Sequence, residues 1–416
     1  MKTALLVLLA ALTVDNASDL KSRADRIHRS AIVIDTHEDV PERLGTEWVD
    51  LSVRNKTGHV DIPRLKEGGV TGAFFAAYVP ASFANGGAAR KTLELMDLIH
   101  RLAERHGELV FADSPDGVRA AKRAGKIAVL IGIEGGHAIE DSLGALSSFA
   151  RLGARYMTLT HTNTNHWADS SGNFFAWDFD PGKVAVHEGL TAFGREVVLE
   201  MNRLGMLVDV SHVSDKTIAD VLATSKAPVF ASHSSCRALS GIPRNLTDDQ
   251  IRAIAAKGGV VMVNVSSTFL DQKVVDEFIR QKAALAPKFA EIAQRLGNDP
   301  ARREAEIAAL IEKLPRGRTD WKKAVDHIER IMKIAGPKSV GLGTDFDGIP
   351  DPPAGLEDVS KLPMLTEELL RRGHSEEDVR GVLGENFLAF WERARAATAR
   401  IEPAKLPLPL MTSAAR

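Results

Sequence analysis

One cysteine, Cys236, stands in 416 residues, so no intrachain disulfide can form. No catalytic partner accompanies it, and a small buried residue is expected there. Neither sign of charge dominates. Lys+Arg total 53 against 55 Asp+Glu, a formal net charge of −2. That balance lacks the basic footprint of a nucleic-acid binder or of a protein held on an anionic membrane surface. Past the N-terminus no stretch has the ~20 apolar residues that span a bilayer. The tail Leu406-Pro407-Leu408-Pro409-Leu410 is broken by proline and is not a lipid-anchor signal. No internal repeat is visible.

What is present begins with a leader. Met1-Lys2 precedes the apolar run from Thr3 to Val14, the pattern of a signal peptide over about 1–17, although no clean small-x-small cleavage pair follows. Export to the periplasm or secretion is the expectation. Residues 18–400 are expected to form one domain and 401–416 a tail.

Eight short apolar runs then alternate with helical segments. They lie at Ile32–Ile34, Gly72–Tyr78, Ile127–Ile133, Tyr156–Thr160, Met206–Ser211, Pro228–Ser232, Gly259–Asn264 and Ser339–Thr344. Near-continuous hydrophobic strands imply burial on both faces, as in a parallel sheet. Thr247-Asp248-Asp249-Gln250 carries the signature of a helix capping box. The charged, Ala-rich segment at about 270–335 is expected to be a helical insertion serving as a lid. Eight units over this length give an α/β fold, a (β/α)8 barrel of TIM type; a doubly wound open sheet is the alternative.

The ends of the runs separate these two. Six of the eight finish in His, Asp or Glu, and a barrel gathers its strand C-termini at one mouth, whereas an open sheet spreads them along a line. The gathered residues are His37, Asp39, Glu134, His161, His212, His233 and Asp345. His37 and Asp39, at i and i+2 of an extended strand, reach one point. Four imidazoles and three carboxylates exceed the needs of one zinc and suit two metals. In that arrangement His37 and Asp39 hold one ion, His212 and His233 the other, and Glu134 bridges. Three carboxylates in one mouth also repel each other unless cations relieve them. The metals acidify a bridging water, so that hydroxide is the nucleophile. Asp345 suits proton transfer, and His161 can donate to a developing oxyanion. Arg244 either grips a substrate carboxylate or pairs with Asp248 or Asp249. His28, His100, His106, His187, His327 and His374 lie in helical or charged contexts and are expected at the surface. His137 is expected to brace the third loop. His166 and Trp167 either line the pocket or pack.

These motifs carry a resemblance. Ile34-Asp35-Thr36-His37-Glu38-Asp39, Gly132-Ile133-Glu134-Gly135-Gly136-His137, Leu159-Thr160-His161, Val210-Ser211-His212, Ser232-His233, Pro243-Arg244-Asn245 and Gly343-Thr344-Asp345-Phe346-Asp347-Gly348 occur in order. The chain resembles the membrane (renal) dipeptidase family of zinc metallopeptidases, in the amidohydrolase superfamily. The resemblance implies a (β/α)8 barrel with two zinc ions, His161 polarising the scissile carbonyl, Arg244 on the C-terminal carboxylate of a dipeptide, Asp345 handling the proton and Tyr78 touching substrate. It also implies cleavage of free dipeptides, including those ending in a D-residue, and allows a homodimer. Glu38 replaces the family's usual Asn, and strand alternation turns it away from the metals. The expected activity is that of a dipeptidase. The alternatives are a dizinc enzyme acting on a secondary-metabolite amide, or a non-catalytic metal- or peptide-binding protein.

Overall fold

The computed structural model describes residues 19–399, Trp48 excepted, so the expected leader over 1–17 and the tail over 401–416 lie outside the described residues. Among the described residues nine strands run in chain order: β1 (Ile34–Glu38), β2 (Gly72–Tyr78), β3 (Leu109–Phe111), β4 (Ile127–Glu134), β5 (Ala154–Thr158), β6 (Leu207–Asp209), β7 (Phe230–Ala231), β8 (Val260–Val263) and β9 (Val340–Leu342). All neighbours are parallel, and the pairing of β2 with both β1 and β4 closes eight strands into a barrel. The open-sheet alternative is thereby excluded. The extra strand is β3, absent from the sequence reading. It pairs Leu109–Phe111 with the first residues of β4, on the edge that β5 takes over from Ile131. Three residues carry too little periodicity to announce a strand.

Side chains alternate across the barrel wall. Outward residues such as Phe75, Ile131, Met157 and Val261 pack beneath the helices, while Phe74, Leu130, Tyr156 and Phe230 turn inward. The inward set meets the last helix, Asn386–Thr398, which closes the N-terminal end of the barrel. Phe230 lies 5.8 Å from Phe387 and 5.3 Å from Phe390, and Phe74 lies 5.5 Å from Phe387, edge on. The capping box at Thr247 and Gln250 forms and starts the helix Asp248–Ala256.

Between β8 and β9, three helices (Gln272–Ala284, Ala286–Arg295, Pro300–Glu312) form a small apolar core of their own around Phe278, Phe289, Ile292, Ile307 and Ile311. Phe174, Phe175 and Trp177, from the loop after β5, pack onto it. The following helix, Lys322–Ala335, packs on β8 and β9 within the barrel shell.

Two histidines expected at the surface are buried. His28 bonds Thr366 Oγ1 (2.7 Å) and the Gly68 carbonyl (2.9 Å). His327 accepts from the Cys236 N–H (2.9 Å) at Nδ1 and meets the Leu270 carbonyl (3.0 Å) at Nε2. Each sits on the inner face of a charged helix, where charge at neighbouring positions masks the apolar side. Cys236 is buried, and burial pushes its thiol up to about 12.

Candidate metal centre

The centre lies at the C-terminal mouth of the barrel. Asp35, fully buried in β1, ties that strand to the end of β9. It accepts from the Thr344 N–H (2.8 Å), the Thr344 hydroxyl (2.5 Å) and the His37 N–H (3.2 Å). Burial pushes its carboxyl up to about 6. Asp345 N–H then donates to the His37 carbonyl (3.0 Å), which sets Asp345 beside β1. Asp345 and His212 both take the left-handed backbone region, at φ 66° and 67°, unusual for residues with a side chain and typical of functional sites. No Cβ fits at Gly348, where it would stand 2.2 Å from Asp39 Oδ2.

Neighbouring hydroxyls fix how two imidazoles face. Tyr156 O–H donates to the Thr36 carbonyl (3.1 Å), so its oxygen accepts the proton of His37 Nδ1 (2.8 Å). Ser232 O–H donates to Asp209 Oδ2 (2.6 Å), so its oxygen accepts from His233 Nδ1 (2.7 Å). In both rings the Nε2 lone pair is left facing the mouth, the tautomer a metal ligand needs. Tyr156 reaches His37 because its ring lies over Gly132, where a Cβ would come within 2.0 Å of it.

Glu134, at the end of β4, stands at the middle. Its Oε1 lies 3.0 Å from His212 Nε2 and 3.4 Å from His233 Nε2. Its Oε2 lies 3.6 Å from His37 Nε2, which is itself 3.5 Å from Asp39 Oδ2. The two oxygens of one carboxylate thus face two separate pairs. Burial opposes the charge of Glu134, but the surrounding histidines outweigh it and hold its carboxyl well below the usual range. Burial holds His212 and His233 neutral, well below the usual imidazole value, with Arg244 adding to the effect. Burial, reinforced by the Asp39 and Glu134 carboxylates, drives Asp345 well above the usual range. Glu38 is turned away from this group and is fully buried. Burial and the Asp35 and Asp347 carboxylates raise it well above its usual range, which favours the neutral acid.

The donor set fits divalent cations. His37 Nε2, His233 Nε2 and Asp39 Oδ1 are buried with no hydrogen-bond partner among the described residues. Such orphaned atoms are costly unless something else satisfies them. Three overlapping triads (His37, Asp39 and Glu134; Glu134, His212 and His233; His37, His233 and Asp345) each bring their ligand atoms within 4.8 Å of one another. The neutral imidazoles of His212 and His233 and the crowded carboxylates are what a cation needs.

Above the centre opens a cleft of about 380 Å³. Tyr78, His161, Arg244 and Asp345 line it, so all nine residues singled out from the sequence meet in one place. The His161 ring lies 4.6 Å from that of Tyr78, and burial lowers its pKa to about 4. Asp345 Oδ2 accepts from Asn264 Nδ2 (2.7 Å). Arg244 is buried, stacked 5.3 Å from the Phe269 ring, and donates to the His233 carbonyl (3.2 Å). Asp248 and Asp249 pair with Arg330 and Arg252 instead, which removes the surface alternative for Arg244. Trp167 is fully buried. His166 is exposed, pairs with Asp141 at 2.6 Å, and lies outside the cleft. His137 Nε2 donates to the Val79 carbonyl (3.0 Å), bracing the third loop.

The sequence reading missed four contributors. Asp209 was detectable, because a carboxylate inside an apolar run must be a buried, satisfied acceptor. Tyr156 faces inward by strand alternation, but its partner across the barrel carries no sequence signal. Glu42, which burial and then Asp39 push up to about 7, and Arg316 both line the cleft from segments with no distinguishing pattern.

A family model described as membrane dipeptidase (peptidase family M19) matches residues 21–404. Among solved structures, the chain is 26% identical to the probable dipeptidase PvdM of Pseudomonas aeruginosa, with TM-score 0.78 over 91% of this chain and 99% of that one. It is 27% identical to dipeptidase AC, a metallopeptidase of family M19, with TM-score 0.70 over 88% and 99%. It is 26% identical to a metallopeptidase of Rhodobacter sphaeroides liganded with a phosphinate mimic of L-Ala-D-Ala, with TM-score 0.68 over 88% and 100%.

Proposed function

The chain belongs to the membrane dipeptidase family, and from that premise we propose that it is a dizinc enzyme hydrolysing free dipeptides, those with a C-terminal D-residue included. The observation that carries the two-ion reading is the placement of Glu134, one oxygen toward His37 and Asp39 and the other toward His212 and His233. His37 and Asp39, and His212 and His233, with Glu134 shared by the two pairs, would hold the ions, which would neutralise the crowded carboxylates and acidify a bound water.

The chain's own residues do the rest. Arg244, charged and desolvated against Phe269, holds the dipeptide's terminal carboxylate and fixes the register of the scissile bond. His161, neutral at physiological pH, donates from its ring to the carbonyl oxygen as negative charge develops there. Asp345 takes the proton of the attacking water at Oδ1, while Asn264 holds Oδ2. It returns that proton to the amide nitrogen as the C–N bond breaks. The products are two free amino acids. The buried walls around Asp345 favour its protonated form, which suits the second half of this cycle.

Acceptance of D-residues rests on the L-Ala-D-Ala mimic seen in the Rhodobacter sphaeroides neighbour. Export is proposed from the leader pattern alone, and a homodimer from the family resemblance alone. Assay of the purified protein on paired L-L and L-D dipeptides tests the activity. Elemental analysis should return two zinc ions per chain, and chelation should abolish turnover. Absence of hydrolysis by metal-loaded protein would overturn the reading.

A further inference from the structure

Arg316 follows the third helix of the insertion and lines the cleft with the centre's own residues. Its guanidinium lies 5.1 Å from the centre of the Phe175 ring and 4.8 Å from that of Phe278. Two aromatic rings flank the group, and neither offers its N–H donors a hydrogen-bond acceptor. Among the described residues it makes no ion pair or hydrogen bond; Asp351 and Glu312 act on it only at a distance. Asp351 is already committed, to the Ser266 hydroxyl (2.6 Å) and to the Thr268 N–H (3.0 Å) and hydroxyl (2.5 Å). Arg318, two residues on, shows the contrast. It pairs with Glu357 at 3.3 Å and donates to the Pro352 and Pro353 carbonyls.

The two arginines share one wall. Arg244 rests on Phe269, Phe269 clusters with Phe174, and Phe174 meets Phe175 and Phe278, the rings under Arg316. Glu42 and Tyr78 bring acidic and phenolic character to the cleft from other elements, the helix after β1 and the end of β2. A half-buried cation kept without a partner, in a cleft that already has one carboxylate grip, calls for a second anion on the ligand.

We propose that Arg316 is a specificity-determining residue that binds an acidic side chain on the C-terminal residue of the substrate. The assignment rests on the dipeptidase reading above, with the terminal carboxylate at Arg244. Arg244 and Arg316 line the same cleft and are joined by this aromatic wall, so the side chain of a C-terminal residue held at Arg244 is the part of the substrate assigned to Arg316.

The test compares Ala-Glu with Ala-Gln, which match in shape and differ in charge. In the metal-loaded wild type kcat/KM should favour Ala-Glu by roughly 10- to 100-fold, the range of a charge-assisted contact. Arg316→Leu keeps aliphatic cover on Phe175 and Phe278. It should bring the ratio to about 1, chiefly through the KM of Ala-Glu, and leave Ala-Gln within about threefold. Arg316→Lys keeps the charge without the planar fork and should retain part of the preference; it also serves where the leucine variant does not fold. Equal losses on both dipeptides would make Arg316 a structural pin and overturn the assignment. So would a wild type that turns over both with equal kcat/KM, or one whose acidic preference falls on Glu-Ala. Turnover of neither, with other dipeptides hydrolysed, overturns the assignment alone; hydrolysis of no dipeptide overturns the dipeptidase reading and the assignment with it.

Discussion

At the floor of the barrel, Phe74 and Phe230 interlock with Phe387, Phe390 and Trp391, and no charge is involved. At the mouth, a few residues further along the same strands, His37, Asp39, Glu134 and His233 crowd together with buried polar atoms left unpaired. The floor is satisfied by the chain alone. The mouth is complete only with something the chain does not encode. One architecture can hold both because strand alternation gives every strand an inward face, and each strand spends that face on packing low down and on chemistry at its end. Stability and activity should therefore respond to different substitutions.

Glu134→Gln should have the largest effect. The amide cannot serve both pairs as a carboxylate does. Metal content should fall from two to one or fewer per chain by elemental analysis, and kcat/KM by about a thousandfold or more, equivalent to ~4 kcal/mol of transition-state stabilisation. The fold should persist by circular dichroism. Phe230→Ala probes the other end. Removing a fully buried ring should cost about 3–5 kcal/mol in urea unfolding while metal stoichiometry stays at two. If Phe230→Ala emptied the centre, or Glu134→Gln unfolded the chain, the separation of the two ends would fail.

A smaller effect should appear at the outer support of the mouth. His327 accepts from the Cys236 N–H after β7 and reaches the Leu270 carbonyl after β8, and burial lowers its pKa to about 4. The folded chain therefore takes up this proton less readily than the unfolded chain, whose imidazole titrates near 6.5. Its contribution is complete above pH 6.5 and is lost as pH falls from 6.5 toward 4. The full difference is about 3 kcal/mol. Unfolding measured at pH 7 and pH 4.5 should show a drop that His327→Gln flattens. An equal drop in both proteins would place the pH sensitivity elsewhere.

Much of this was legible in the chain. Parallel strands buried on both faces read as continuous apolar runs, and His37, Glu134, His212, His233 and Asp345 were conspicuous because each interrupts such a run at its end. Side chains acting across space were not. The bond from Tyr156 to His37 joins positions 119 apart in the chain, and no local pattern records it. His28 and His327 looked exposed because helical charge is read per segment while burial is decided per face. Arg316 resembles any other arginine of a charged helical stretch until the rings beneath it are seen.

The room that Gly132 leaves for Tyr156 has a practical consequence. The chain contains two tyrosines, and both stand at the mouth: Tyr156 against His37, and Tyr78 against His161. Biosynthetic incorporation of fluorotyrosine would thus yield a fluorine spectrum of two resonances with no background from the rest of the molecule. One would report on the His37 imidazole and the other on the cleft beside His161, so addition of zinc and arrival of a ligand could be followed separately in a single sample.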